Sequence, residues 1–388
     1  MTSTIRDRAA AAPDMLAIFG DAALLHAALG FETALAAARA AEGLIPEAHA
    51  RRIAAACAAP AIDVAALAAS ASHAGTLAIP LVAELRAAIA AEDPEAAAEL
   101  HRGATSQDLA DTALMLQAKQ AAALIETEAA RIADALAALA ETHLATPMLG
   151  RTLLQAALPV TFGLKATNWL LGLDEARRRF RVERDGALML QFGGAAGTLA
   201  GLGGKGVEVA ARLARALGLG LPPLPWHARR NGIAGLGAAL AILCGAAGKI
   251  ARDIALLAQT EVAEAFEPRI AGRGGSSAMA HKRNPTGCQI VLSAALRTPG
   301  LAATLLAGLP QEHERGLGGW QAEAPVLADL FCLTHGALAA LASVAAGLEL
   351  DIERMQANLD RTGIAADPGE AVRLARQALD QYRRAGRL

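Results

Sequence analysis

The chain has 388 residues, enough for two or three domains and a large buried core. Its formal net charge is −2 and only 3% of its residues are aromatic, so nothing favours a nucleic-acid-binding protein. Hydrophobic residues make up 54% of the chain, and many of them are alanine, the strongest helix former. We therefore expect closely packed helices and a stability that depends partly on contacts between subunits.

Redox and targeting signals are sparse. The four cysteines, Cys57, Cys244, Cys288 and Cys332, form no CxxC pair, and the histidines show no HxxxH spacing. Neither a disulfide framework nor a zinc site is predicted. Residues 1–15 are charged and lack the apolar segment of a signal peptide. The sequence predicts a cytoplasmic protein with reduced thiols and implies no metal or organic cofactor.

Apolar residues recur at helical spacing along nearly the whole chain, and no stretch alternates as a strand should. Residues 15–60 predict two helices separated near residues 43–46, and residues 61–91 predict further helix with breaks near Gly75 and Pro80.

The clearest helix starts at Thr105, which with Asp108 three residues later matches a capping box. Its pattern continues to about His143, far beyond the average of roughly 11–12 residues, and such helices build elongated bundles. A second long helix is predicted from about Pro159 to Leu190.

Helix is interrupted by the glycine-rich residues 193–206 and resumes over residues 232–264. Residues 269–284 then lack periodicity, and an irregular segment of this length inside a compact chain suggests function. Helical pattern returns at Pro285 and continues, with glycine-marked breaks, to the C-terminus.

Residues 274–285, GGSSAMAHKRNP, are the most informative segment. Two serines precede a cluster of cationic residues, and a serine hydroxyl can act as a base only where cations or N–H groups stabilise its oxyanion. The pattern GSSxMxxKxNP resembles the signature loop of the fumarase/aspartase superfamily. By contrast, residues 201–206 match GxGxxG by letter but lack the strand and acid that a dinucleotide site requires.

Two further segments resemble conserved regions of that superfamily, in the required order. Residues 101–108, HRGATSQD, resemble the first region, and residues 150–163, GRTLLQAALPVTFG, resemble the second. GATSQD and LPVTFG are most similar to the carboxymuconate cycloisomerase branch. The resemblance spans residues 15–363.

The resemblance implies an all-α, three-domain fumarase/aspartase-like fold with a long central helical bundle. We expect an N-terminal helical domain over residues 1–104, a central bundle domain over residues 105–340 and a short C-terminal helical domain over residues 341–388. It also implies a homotetramer with a twenty-helix core, in which each active site takes residues from three subunits. No nucleic acid or membrane partner is expected.

The resemblance further implies the chemistry. The superfamily's enzymes remove a proton from the carbon next to a carboxylate, and the resulting aci-carboxylate expels a group from the neighbouring carbon. In the cycloisomerase branch that group is a carboxylate of the same molecule. The expected reaction interconverts 3-carboxy-cis,cis-muconate and carboxymuconolactone, in protocatechuate breakdown by the β-ketoadipate pathway. Such a site must hold several carboxylates and move a proton at carbon.

Matching positions imply roles for the loop residues. Ser276 is expected to transfer the proton, with Ser277 as its alternative and otherwise a substrate-binding neighbour. Lys282 and Asn284 are expected to bind and polarise the carboxylate on which charge develops.

Residues of the first region are candidates for the same site. Thr105 and Ser106 open the long helix, whose N–H groups and dipole suit an anion, although capping alone also explains them. His101 is a candidate catalytic residue that orients the substrate, or else a structural histidine.

Arg151 and Arg315 are candidate carboxylate clamps, and ion pairing at a subunit interface is their alternative role. Gln191 is a further candidate for substrate binding.

Leu153 departs from the family pattern, because branches such as adenylosuccinate lyase place a proton-donating histidine there and the cycloisomerase branch commonly a tryptophan. Arg102, Thr76 and Ala280 also depart from the usual residues. Two alternatives stay open: a C–N or C–O lyase such as adenylosuccinate lyase, and a catalytically inactive helical assembly protein. Leu153 argues against the first, since a lyase needs a proton donor for the leaving nitrogen.

Overall fold

The computed structural model describes residues 5–10, 12–275, 279, 282–365 and 367–385. Ser276 and Ser277, the predicted proton-transfer residue and its neighbour, lie outside the described residues.

Helices dominate the described chain, and the all-α prediction is confirmed. A 3₁₀ turn at Arg8–Ala10 precedes the N-terminal helices α1 (Pro13–Ile18), α2 (Asp21–Ala41), α3 (Glu47–Ala58), α4 (Val64–Ala74), α5 (Ala78–Ala90) and α6 (Pro94–Glu99). The central helices are α7 (Ser106–Thr142), α8 (Phe162–Ala187), α9 (Gly206–Leu217), α10 (Asn231–Leu257), α11 (Thr286–Ala307) and α12 (Gly319–Ala346). The last helices are α13 (Ile352–Asp360) and α14 (Ala371–Ala385).

Short strands form two antiparallel pairs: β1 (Pro147–Thr152) with β2 (Gln155–Thr161), and β3 (Ala265–Phe266) with β4 (Glu349–Leu350). The β1–β2 hairpin was not predicted, because its register shifts between Leu149 and Arg151 and its burial does not alternate cleanly.

Helix α7 begins and ends where the sequence predicts. Thr105 is its N-cap, and the Asp108 carboxylate accepts a hydrogen bond from the Thr105 N–H at 3.0 Å. The helix has 37 residues, and a rise of about 1.5 Å per residue makes it roughly 55 Å long. Ile132 and Leu136 lie on its buried face.

Helices α7, α8, α10, α11 and α12 pack side by side as the central bundle. Alanines are frequent among their buried residues, which permits close approach of the helix axes. The predicted division at residue 104 falls between α6 and α7, and the one at residue 340 falls within α12.

Side-chain contacts show which helix ends lie together. Arg230, just before α10, contacts Asp111 near the start of α7 and Glu323 near the start of α12. We call this the Thr105 end of the bundle. The opposite end, where α7 finishes and α8 and α11 begin, carries β1, β3 and the loop before α11, and we call it the Arg151 end.

Three bundle helices, α10, α11 and α12, are long and apolar enough to cross a membrane by length and composition alone. In α10 and α12, 61% of the most apolar window is buried inside the chain, so their apolar faces are used by the bundle. In α11 only 28% is buried, and Leu296 is 84% exposed. Helix α11 therefore presents an apolar face that this chain does not cover.

Candidate active site

The Thr105 end holds a histidine–carboxylate pair. His101 Nδ1 lies 2.5 Å from Oε1 of Glu32, which α2 supplies from 69 residues away. Burial alone would lower the pKa of His101, but the hydrogen bond and negative charge of Glu32 outweigh it and raise that pKa. His101 is therefore held as a cation to higher pH than a free histidine, with Nδ1 committed to Glu32 and Nε2 left for another partner.

Arg315 reaches the same end from the segment before α12. Its Nη1 donates to Thr105 Oγ1 at 2.7 Å, although the two residues are 210 positions apart. Thr105 and Ser106 are half-buried at the first turn of α7, where the helix dipole favours an anion. The fold thus brings His101, Thr105 and Arg315 together, as an arrangement suited to binding a carboxylate.

Asp108 holds this region in place. Its carboxylate accepts from the backbone N–H groups of Gly193 and Gly194 at 3.0 and 2.9 Å, besides that of Thr105. His227 Nε2 lies 2.7 Å from the same carboxylate. One buried aspartate therefore ties the start of α7 to two loops more than 80 residues away.

Gln191 lies one layer deeper and is fully buried. Its Nε2 donates to Asp111 at 3.2 Å, and its Oε1 accepts from the Trp226 N–H at 2.9 Å. Its amide therefore supports neighbouring residues in this chain.

A buried ion cluster underlies the whole Thr105 end. The Arg230 guanidinium bonds Asp111 through both terminal nitrogens, each at 2.8 Å, and also contacts the Glu323 carboxylate. Burial raises the pKa of Glu323 despite the opposing effect of Arg230. Sequence reasoning missed this cluster, because the contacts of Arg230 with Glu323 and Asp111 span 93 and 119 positions.

The Arg151 end carries a second polar arrangement. Arg151 forms a bidentate pair with the buried Glu264, at 2.8 and 2.6 Å. Glu264 also accepts from Asn358 Nδ2 at 2.7 Å, which attaches α13 to β1. Within this chain Arg151 is thus ion-paired, and its partly exposed side chain borders a cavity beside the hairpin.

The tip of the β1–β2 hairpin has leucines at two positions where the backbone has positive φ values. Leu153 and Leu154 adopt φ values of 50° and 62°, in a two-residue turn that usually contains asparagine and glycine. Leu153 is also 96% exposed. A strained backbone carrying an apolar side chain into solvent is typical of a functional or interface segment.

The signature loop is closed at its base. The Asn284 N–H donates to the Gly274 carbonyl at 2.9 Å, and Gly274 has a φ of 74° that suits glycine. Asn284 Nδ2 donates to the Gly275 carbonyl at 3.3 Å, while Lys282 is exposed.

Glu267 anchors the far side of this loop. Its carboxylate accepts from the N–H groups of Gly287 and Cys288, at 2.9 and 2.7 Å, at the first turn of α11. Arg273 Nη2 lies 3.7 Å from the same carboxylate. Glu267 therefore links the start of α11 to both flanks of the loop, and sequence reasoning did not single it out.

The predicted residues form two groups in one chain. His101, Thr105, Ser106, Gln191 and Arg315 belong to the Thr105 end, whereas Arg151, Lys282 and Asn284 belong to the Arg151 end. These ends belong to a bundle whose helix α7 is roughly 55 Å long.

Comparison with known proteins identifies the family of this chain. A protein-family model described as "Lyase" matches residues 7–300. A 3-carboxy-cis,cis-muconate cycloisomerase from Bradyrhizobium diazoefficiens is 52% identical over 349 residues, covering 90% of this chain and 77% of that protein. A nitrosuccinate lyase from Streptomyces davaonensis is 46% identical, covering 89% and 75%.

A solved structure agrees with the sequence relatives. The 3-carboxy-cis,cis-muconate lactonizing enzyme from Pseudomonas putida superposes with a TM-score of 0.88 at 43% identity, covering 98% of this chain and 87% of that one. The match extends over the N-terminal helices, the bundle and the C-terminal helices. This chain therefore belongs to the lyase family that the model describes, within the fumarase/aspartase superfamily.

Proposed function

We propose that this protein is a 3-carboxy-cis,cis-muconate cycloisomerase, an intramolecular lyase of aromatic-compound breakdown that works in the cytoplasm. The observation that carries the proposal is the 52% identity to a cycloisomerase over 90% of the chain. The retained loop sequence GSSAMAHKRNP supports it, because the groups needed for proton transfer at carbon are present.

The reaction is an internal addition in which no atom is lost. A substrate carboxylate oxygen forms a bond to an alkene carbon, and a proton is delivered to the adjacent carbon. In reverse, Ser276 removes that proton, and the carboxylate leaves as the C–O bond breaks. Lys282 and Asn284 stabilise the charge that grows on the carboxylate next to the reacting carbon.

The groups at the Thr105 end suit the remaining carboxylates. The His101 cation, the first turn of α7 and Arg315 would bind them, and Asp108 and Gln191 would hold those groups in position. Arg151 would act near its own end of the bundle, paired with Glu264.

We further propose that the active enzyme is a homotetramer with sites shared between three subunits. Two groups of site residues at opposite ends of a bundle of long helices cannot meet around one small substrate in a single chain. The uncovered apolar face of α11 and the exposed Leu153 fit burial against other subunits. In this assembly residues 1–104, 105–340 and 341–388 would act as three domains.

A second candidate is a lyase that expels a group from a substituted succinate. The 46% identity to a nitrosuccinate lyase favours it, because that relative covers nearly the same part of this chain. Leu153 argues against a lyase that needs a proton donor at the hairpin tip, because a leucine side chain has no proton to donate.

The test is a spectrophotometric assay with 3-carboxy-cis,cis-muconate, with nitrosuccinate and adenylosuccinate in parallel. Rapid loss of the diene absorbance, with no turnover of the other two compounds, is expected. Turnover of nitrosuccinate or adenylosuccinate alone would replace the proposal with the second candidate. No turnover of any of the three would contradict both.

Mixed tetramers test the shared site. Lys282→Ala and Arg315→Ala change opposite ends of the bundle, so each pure variant should be nearly inactive. Refolding the two together should restore roughly one quarter of wild-type turnover, because random mixing leaves some sites with both groups intact. A mixture as inactive as its components would contradict sharing between subunits.

A further inference from the structure

A cavity at the Arg151 end is lined by three cationic side chains and one carboxylate. It measures about 590 Å³ and lies between the β1–β2 hairpin, α8 and α10. Ligand pockets typically have volumes of about 300–1,000 Å³, so a small organic molecule would fit. Its wall combines apolar groups with three cations, which are Arg151, Lys165 and Lys249.

Two of these cations already have partners. Arg151 pairs with Glu264, and Lys249 Nζ lies 2.5 Å from Asp253 Oδ2. Asp253 Oδ2 also accepts from the Trp169 indole N–H at 2.7 Å. Glu264 and Asp253 therefore bond directly to other groups, and they act on Lys165 only through their charge.

Lys165 is the exception. Across the residues that the structure describes, its ammonium group has no hydrogen bond and no ion pair. It projects from the first turn of α8, where burial lowers the pKa of its ammonium group. A half-buried ammonium without a partner is costly, and a bound anion would remove that cost.

The apolar wall limits which anion fits. Leu158, Val160, Leu164 and the Trp169 ring line the same cavity, so the ligand should carry hydrocarbon beside its charge. A carboxylate attached to a short carbon chain meets both conditions.

We propose that this cavity, which we call the Lys165 pocket, binds a carboxylate-bearing small molecule with Lys165 as its anchoring charge. The carboxylate belongs either to the substrate or to a separate ligand. The first source rests on the proposed function, whereas the pocket itself does not.

Binding of tricarballylate to the intact protein tests the pocket. By isothermal titration, Lys165→Met should weaken tricarballylate binding about tenfold or more, since a charge-assisted contact is lost. Lys165→Arg should bind nearly as well as wild type. The matched control is Lys119→Met, whose Nζ bonds the Gly218 carbonyl on an exposed part of α7, and it should change nothing.

Thermal unfolding checks that the Lys165 variants fold. Lys165→Met should keep or raise the unfolding temperature, because it removes an unpaired ammonium and retains the apolar stem. Equal tricarballylate binding by wild type and Lys165→Met would overturn the proposal. So would a crystal structure of the assembled protein in which another subunit's carboxylate pairs with Lys165.

Kinetics then identify the source of the carboxylate. If the substrate supplies it, Lys165→Met raises KM for 3-carboxy-cis,cis-muconate and leaves kcat within about twofold. An unchanged KM with weakened tricarballylate binding assigns the pocket to a separate carboxylate ligand. If wild type turns over no carboxymuconate but tricarballylate binding still depends on Lys165, the proposed function fails and the pocket stands.

Discussion

His101 and Glu32 form a 2.5 Å pair between Nδ1 and Oε1 that joins α2 to the turn before α7. The second oxygen of Glu32, Oε2, is buried and has no hydrogen-bond partner among the residues that the structure describes. His101 also has a φ of 62°, in the left-handed region that few residues other than glycine adopt. The contact thus fixes a strained residue and raises the pKa of its ring.

Glu32→Gln should shift the pH dependence of catalysis. Without the carboxylate of Glu32, burial is opposed only by the charge of Asp108, and the pKa of His101 falls. If the cationic ring binds a substrate carboxylate, the alkaline decline of kcat/KM should move to lower pH. The measurement is a pH profile of kcat/KM for wild type and variant.

The His101–Glu32 pair should also make the stability of the protein depend on pH. Because its folded pKa is raised, His101 stabilises the protein fully below its unfolded pKa of about 6.5, and this is lost as pH rises through the folded pKa. The difference in unfolding temperature between wild type and Glu32→Gln should therefore shrink above about pH 6.5. Glu95→Gln is the control, because it removes the exposed carboxylate that lies 3.9 Å from His49, and it should show neither effect. Overlapping pH profiles for wild type and Glu32→Gln would contradict the proposed role.

Asp108→Asn should lower the free energy of unfolding by about 3 kcal/mol. An amide cannot accept the Gly193, Gly194 and Thr105 N–H groups together, and its NH₂ would face a donor. Urea denaturation measures the loss. Asp134→Asn, on an exposed face of the same helix, should change stability by under about 0.5 kcal/mol. Equal urea midpoints for the two variants would refute the anchoring role of Asp108.

Ser276→Ala should lower kcat by about 10²–10⁴-fold while the unfolding temperature stays unchanged, because the change removes the proposed proton-transfer group. Ser277→Ala is the matched comparison and should retain most of the turnover. The reverse ranking would assign proton transfer to Ser277. Near wild-type turnover in both variants would remove the loop serines from the mechanism.

Glu267→Gln should loosen the base of the signature loop. The carboxylate accepts two N–H groups of α11, and an amide can satisfy only one of them without placing its NH₂ against a donor. We expect a loss of about 2 kcal/mol in stability and roughly a tenfold decrease in kcat.

Thermal unfolding and steady-state kinetics of Glu267→Gln measure both effects. The control is Glu261→Gln, which alters an exposed carboxylate before β3 and should leave kcat unchanged. A decrease in stability with kcat intact would restrict Glu267 to a structural role.

Much of the fold could be predicted from the sequence because helix signals are local. The N-cap at Thr105, the apolar spacing along α7 and the irregular residues 269–284 each depend on residues a few positions apart. The loop sequence likewise carries its family resemblance within twelve consecutive residues. For the residues that the structure describes, the N-cap, the long helix and the irregular segment are confirmed.

The tertiary structure alone decided which side chains meet. Glu32 reaches His101 across 69 positions, and Glu264 reaches Arg151 across 113. The β1–β2 hairpin and the half-buried position of Lys165 beside a cavity were not predicted either. Apolar periodicity predicts which face of a helix is buried. It does not predict which charged residue from a distant part of the chain comes within hydrogen-bonding distance of that face. That outcome depends on how whole helices pack, since only packing sets the distances and desolvation that decide a side chain's chemistry.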